Sequence, residues 1–198
     1  MKNYYTEMEE TWANNYPSTN SFEEYESFYE ESGFKGGFTP HIEKLLSQPE
    51  LKINKSRLLE FGCDNGIALN YFKNHSLELY GVDLNTSAIQ NGRKLFPEFN
   101  LVRSFGLEIP FKDKYFDIVF VSAVLKHIRF EDREEMYREL ARVADYIIVT
   151  ELNSAENRTK EQHGFTFYHS DFISELDSKF TELYLEKFGE HFLSLYKV

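Results

Sequence analysis

The chain is poor in cysteine, in basic side chains and in long apolar runs, and each shortage excludes something. Cys63 is the only cysteine among 198 residues, so no internal disulfide can form. That fits a reducing compartment. Lys and Arg number 22 against 33 Asp and Glu, a net charge of −11. Non-specific nucleic-acid binding depends on basic groups neutralising phosphates, so this balance argues against it. The longest uncharged apolar stretch near the middle, Ile118 to Leu125, is far too short to span a bilayer. The N-terminus, Met1-Lys2-Asn3-Tyr4-Tyr5, leads into acids rather than a signal-peptide core. A soluble, cytoplasmic protein with no membrane or nucleic-acid partner is the expectation.

What is present is 41% hydrophobic and 17% aromatic residues, enough for a sizeable core in one domain. Residues 1–38 stand apart. They are acidic and aromatic, with Tyr4, Tyr5, Trp12, Tyr16, Phe22, Tyr25, Phe28 and Tyr29, and carry no strand pattern. They are expected to form a helical extension or lid over a domain at 39–198, since so many aromatic rings need burial. Gly36-Gly37 marks a bend, and Thr39-Pro40 reads as an N-cap with proline in the first turn.

From Arg57 onward the hydrophobic periods alternate. Strands are predicted at 57–61, 77–82, 100–103, 115–121 and 145–150, with helices at 66–74, 85–95 and 131–144. That order predicts a parallel α/β sheet with right-handed crossovers. After a helix at 170–180, the runs 180–186 and 191–198 read as a terminal antiparallel hairpin. The fold class expected is a doubly wound, mostly parallel seven-stranded sheet with that hairpin at its end. Residues 152–168 read as a long polar loop suited to substrate contact.

The chemistry concentrates where the first strand meets glycine. Glu60-Phe61-Gly62-Cys63-Asp64-Asn65-Gly66 is a strand end, a tight turn and a helix start. Glycine lets the backbone approach a ligand closely, and helix-start N–H groups favour anions. Asp83 then ends the second strand, where an acid can accept hydrogen bonds from both hydroxyls of a ribose. Together they predict a nucleoside-bearing cofactor. An NAD fingerprint requires Gly-x-Gly-x-x-Gly, and Asp64 fails it at the second glycine.

Further along, Ile109-Pro110-Phe111 leads through Tyr115 to Phe116-Asp117-Ile118-Val119-Phe120, and Val124-Leu125-Lys126-His127-Ile128 follows. With the glycine turn and Asp83, these segments resemble, in order, the motifs of class I (Rossmann-like) S-adenosylmethionine-dependent methyltransferases. The resemblance covers residues 57–128, and the terminal hairpin matches that family's seventh strand. It implies S-adenosyl-L-methionine as cofactor, with Glu60, Gly62, Cys63, Asp64, Gly66, Asp83, Leu84, Ser104, Phe105, Ser122 and His127 around it. Two positions depart from the pattern. Asp64 stands at the middle glycine, where a carboxylate would repel the cofactor carboxylate and attract its ammonium. Phe105 replaces an adenine-binding acid, leaving Ser104 or backbone to make the polar contact.

Methyl transfer needs a base only for a hydroxyl or a protonated amine. His127, following the fourth strand, is the candidate, with an ordinary pKa of about 6.5; Glu151, ending the fifth, is a second. His163, His169 and Tyr16 are candidates for substrate contact. No His, Cys and Asp spacing suggests a metal. Val121-Ser122-Ala123-Val124 lacks the Asn-Pro-Pro-Tyr type of sequence found in relatives that methylate nucleobases. The expected acceptor is therefore an O or N atom of a small molecule, such as a sugar or nucleotide-sugar intermediate. A regulatory or scaffolding protein that keeps the fold without catalysis is the alternative, and an NAD-dependent oxidoreductase a more distant one.

Overall fold

The structure is a computed structural model describing residues 4–15, 21–105, 107–162 and 164–198. Two helices come first, α1 (Tyr4–Asn15) and α2 (Phe22–Glu31), followed by α3 (Thr39–Leu46). The sheet region runs β1 (Arg57–Phe61), β2 (Glu78–Asp83), α4 (Thr86–Leu95), β3 (Asn100–Arg103), β4 (Phe116–Ser122), α5 (Arg133–Val143) and β5 (Ala144–Leu152). A small hairpin, β6 (Arg158–Gln162) and β7 (Phe165–His169), precedes α6 (Phe172–Asp177), β8 (Thr181–Phe188) and β9 (His191–Lys197).

The main sheet has seven strands in the order β3-β2-β1-β4-β5-β9-β8. Its first five strands are parallel, while β9 pairs antiparallel with β5 and β8. This is the predicted doubly wound sheet with a terminal hairpin, and β9 lies between β5 and β8. Alternation explains why both faces are apolar. Leu58, Ile118, Phe120 and Ile148 pack on one side with α2, α3 and Ile89 of α4. Leu59, Val119, Val121 and Ile147 pack on the other with α1, α5 and α6. A central strand such as β4, buried along its whole length, is then continuously apolar through Ile118-Val119-Phe120-Val121.

Three local expectations change. The helix predicted at 66–74 is a 3-10 segment, Ile67–Phe72, with five of its six residues buried, so it has no solvated face to support a longer amphipathic helix. Thr39 is not the N-cap of α3: Phe38 holds that position without a side-chain bond, and the Thr39 hydroxyl donates instead to Glu26 Oε1 at 3.2 Å. The region 152–168 is not an open loop but carries the hairpin β6–β7. Every residue of β6 is exposed, so no apolar alternation marked it.

Asp117 explains why an acid sits in an otherwise apolar strand. Fully buried, it accepts backbone N–H groups of Asn54 (2.7 Å), Lys55 (2.9 Å) and Arg57 (3.2 Å), fixing the chain that enters β1. Asp117→Ala would remove the shared acceptor of three backbone N–H groups. We expect a loss of about 3 kcal/mol or more in unfolding free energy, read from denaturant midpoints, with Asp117→Asn losing less.

Candidate functional site

Five parallel strands end their C-terminal edges on one rim, and ligands of open α/β sheets bind there. The turn after β1 is built by left-handed backbone. Gly62 and Gly66 have φ of +75° and +84°, and Asp64 itself has φ +48°. The irregular acid thus occupies a conformation that glycine favours, and Asp is among the residues that tolerate it. Gly62 is needed for space as well, because a Cβ there would lie 2.5 Å from Val124 Cγ2.

The turn satisfies its own amides. Gly62 and Cys63 donate to Val82 O, Gly66 to Cys63 O, Ile67 to Asn65 Oδ1, and Asp64 to Asp83 Oδ2 at 2.8 Å. The expected anion cradle at a helix start is therefore not formed by these groups. Asp83 Oδ1 also accepts the Asn85 N–H at 2.7 Å. Burial pushes the Asp83 carboxyl up to about 6 despite these bonds. Glu60 is buried at the tip of β1 with Oε2 lacking any partner. Burial, then the charges of Asp83 and Asp64, hold its pKa well above the usual carboxylate range.

A cavity of about 210 Å³ opens here, and Gly62, Asp64, Asp83, Leu84, Ser122 and His127 all line it. A narrow gap of about 40 Å³ along Leu84 and Ser104 shares walls with both this cavity and a wider one of about 360 Å³ beyond. Ser104 and Phe105 line the wider one. Phe105 is 66% exposed, and its ring carries the Arg103 guanidinium at 4.0 Å. Cys63 and Gly66 do not line either space: Cys63 is turned toward Gly81, where an added Cβ would meet its Sγ at 2.6 Å. Burial and the neighbouring acids raise its thiol well above the ordinary range, so it is not an activated nucleophile.

The roof comes from α1. Met8 and Trp12 line the inner cavity, and Tyr5 and Glu9 the wider one. Glu9 ties the helix down, accepting from Arg103 at 2.7 Å and from the Thr86 hydroxyl at 2.9 Å, while the Tyr5 hydroxyl donates to Asp132 at 2.7 Å. Trp12 stands edge-on to His127 with ring centres 5.2 Å apart, and packs on Phe165 of the hairpin at 4.7 Å. Sequence reasoning saw these aromatic residues but not Glu9 or Arg103, whose pairing bridges distant segments. It also missed Asn85, which caps α4 through its side chain.

The other candidates fall in different places. His127 is buried with Nδ1 unpartnered, and burial, then Lys126, draws its pKa down to about 3. It is neutral at pH 7 and a far weaker base than an ordinary imidazole. Glu151 lies away from the cavity lining. Its carboxylate accepts from the Lys126 ammonium and backbone N–H, each at 3.3 Å, and holds the turn that presents His127. His169, at the end of β7, is buried outside the cavity lining. Tyr16 and His163 lie outside the described residues. Among the described residues no group of three or more His, Cys, Asp or Glu could hold a metal, and no helix is long and apolar enough to cross a membrane.

Known proteins share the fold. Residues 59–145 match the family model described as a methyltransferase domain. A Pyrococcus horikoshii OT3 structure aligns with TM-score 0.64 at 18% identity, covering 79% of this chain and 87% of that one. A S-adenosylmethionine dependent methyltransferase from Mesorhizobium loti aligns with TM-score 0.61 at 14% identity, covering 80% and 96%. The glycopeptide N-methyltransferase MtfA complexed with S-adenosyl-L-methionine aligns with TM-score 0.60 at 14% identity, covering 82% and 88%. The chain shares the fold of these methyltransferases, and its residues 59–145 match a methyltransferase-domain model.

Proposed function

We propose that the protein binds S-adenosyl-L-methionine and transfers its methyl group to an O or N atom of a small-molecule acceptor. One observation carries the reading: two carboxylates, the buried Glu60 with an orphaned oxygen and the half-buried Asp83, flank a glycine turn at the strand tips. An unpartnered buried carboxylate oxygen is costly unless a ligand donates to it, and an ammonium group does so. The residues fit the cofactor: Glu60 for its ammonium, Asp83 for its ribose hydroxyls, Leu84 and Ser104 along its base.

When bound, the cofactor supplies an activated methyl group, so the chain's own work is alignment and exclusion of water. Residues 1–38 serve as a lid on the domain at 39–198, with Glu9 and Tyr5 as its fastenings and Trp12 as its inner face. The neutral His127 orients an acceptor as a hydrogen-bonding partner rather than removing a proton outright, and Glu151 positions it through Lys126. Three carboxylates near the inner cavity favour a neutral or cationic acceptor over a phosphorylated one.

Titration calorimetry with S-adenosylmethionine and with NAD tests the reading. Saturable one-to-one binding of the first and none of the second is expected. Binding of NAD alone, or of neither, would overturn it.

A further inference from the structure

One face of the β6–β7 hairpin carries cations that the protein does not balance. Residues opposite each other in a hairpin share a face, and so do alternate residues along each strand. Phe165, Phe167 and His169 of β7 therefore share a face with their partners on β6, Gln162, Lys160 and Arg158. Thr166 and its partner Glu161 share the other face, where the Thr166 hydroxyl donates to Glu161 Oε1 at 2.6 Å. The first face is the one turned toward the site. The rings of Phe167 and Phe165 lie 4.9 and 5.9 Å from that of His127, centre to centre.

A chain with a net charge of −11 has acids to spare, yet neither Arg158 nor Lys160 pairs with one among the described residues. On the same face His169 is only 7% exposed, and its Nδ1 has no partner. Its ring lies nearly parallel to that of Phe167, 6.2 Å away, one step further from His127 along the strand. Burial, then the charge of Arg158, holds its pKa below the ordinary histidine range, so the ring is neutral at pH 7. Lys126, on the turn that β7 packs against, is already matched by the buried Glu151. Two exposed cations are thus left beside a buried ring nitrogen that lacks a hydrogen bond, a costly arrangement unless a ligand completes it. A carboxylate suits all three groups. It takes the guanidinium through two parallel bonds, the ammonium as a point charge, and an N–H from the histidine tautomer protonated at Nδ1.

Building on the proposed methyl transfer, we propose that this face is an anion subsite for the acceptor: the acceptor is a small molecule whose reacting O or N atom lies beside His127 and whose far end carries a carboxylate held by Arg158, Lys160 and His169. When the reacting end is an amine the molecule is a zwitterion, its cationic end toward the inner acids and its anionic end toward the hairpin. The three residues lie outside the segment 59–145 that matches the methyltransferase domain, so acceptor choice rests on this chain's own hairpin.

The test offers the full chain, with S-adenosylmethionine, a panel of amino- and hydroxycarboxylic acids, the amides of the same acids, and analogues with phosphate in place of the carboxylate. Methyl transfer is counted, and acceptor binding is read by calorimetry on protein saturated with S-adenosylhomocysteine. Acids are expected to exceed their amides by about 10- to 100-fold in kcat/KM and in affinity, as for a hydrogen bond to a charged group. Arg158→Ala combined with Lys160→Ala should erase that preference and leave the affinity for S-adenosylmethionine unchanged. Both side chains are exposed, so the double variant should fold. Amides or phosphates accepted as well as the acids would overturn the subsite. So would a preference that survives the double variant, or a chain that binds S-adenosylmethionine and methylates none of the acids. A chain that does not bind S-adenosylmethionine would instead sink the methyltransferase reading itself.

Discussion

Asp83→Asn is expected to lower affinity for S-adenosylmethionine by about 100-fold and to erase its acid-side pH dependence. The carboxylate has two tasks at once. Its oxygens accept the N–H groups of Asp64 and Asn85, fixing the glycine turn to β2 and starting α4. Its remaining lone pairs are available to ribose hydroxyls. In the amide variant one oxygen becomes a donor facing an N–H, so the turn must reorganise while half the acceptor capacity disappears. The pH behaviour follows from burial, which raises the folded-state pKa from 3.8 to about 6. Hydroxyls donate to the ionised form, so affinity should be full well above pH 6 and fall as pH drops through it. The stability of the ligand-free protein runs the other way. A raised folded pKa contributes stability below 3.8 that is lost as pH rises through about 6, on the order of 3 kcal/mol for this group. Glu60, also raised, has the same sign. Melting curves with and without S-adenosylmethionine should therefore show a larger cofactor-induced shift at pH 7.5 than at pH 5. A shift independent of pH in the wild type would remove Asp83 from the binding site.

The parallel strands and the terminal hairpin were legible because their physics is local. A strand buried on both faces must be continuously apolar, as Ile118-Val119-Phe120-Val121 is, and an acid at a strand tip stands out against that background. The glycine turn was legible for the same reason. Asp64 stands out in the sequence as a departure from the glycine pattern, and the structure gives it a conformational account: φ +48° at a position that glycine favours. What escaped was non-local. The pairing of Glu9 with Arg103 joins residues that only the folded chain brings together. Glu151 pointed to the crevice by its place on β5, yet the Lys126 ammonium and amide claim its carboxylate. His127 was read with an ordinary pKa because nothing in the sequence foretold that Trp12 and Phe167 would enclose its ring. The hairpin β6–β7 was missed because Arg158-Thr159-Lys160-Glu161-Gln162 has both faces in solvent, and only burial writes a period into a strand.

Gly92→Ala separates propensity from packing most sharply. Gly92 lies inside α4, where alanine is ordinarily better than glycine by about 1 kcal/mol, so helix propensity alone predicts a stabilised protein. The packing of α4 predicts the reverse. A Cβ at residue 92 would sit 2.3 Å from the carbonyl oxygen of Asn65 and 2.5 Å from Leu101 Cδ1. The first of these is backbone in the glycine turn, held by a fully buried asparagine, and cannot rotate away. Nor can α4 retreat freely, because Arg93 donates twice to Leu101 O at 2.9 and 2.7 Å and clamps the helix to β3. Overpacking of this kind costs about 1–3 kcal/mol, which outweighs the propensity gain and should lower the melting temperature by several degrees. The functional cost should accompany it. Moving α4 displaces Asn85 at its N-cap, and with it the N–H that Asp83 accepts. Cofactor affinity is therefore expected to fall together with stability, whereas Lys94→Ala, on the exposed side of the same helix, should change each little. A Gly92→Ala protein that melts higher than the wild type and binds the cofactor normally would show that α4 does not set the geometry of the turn.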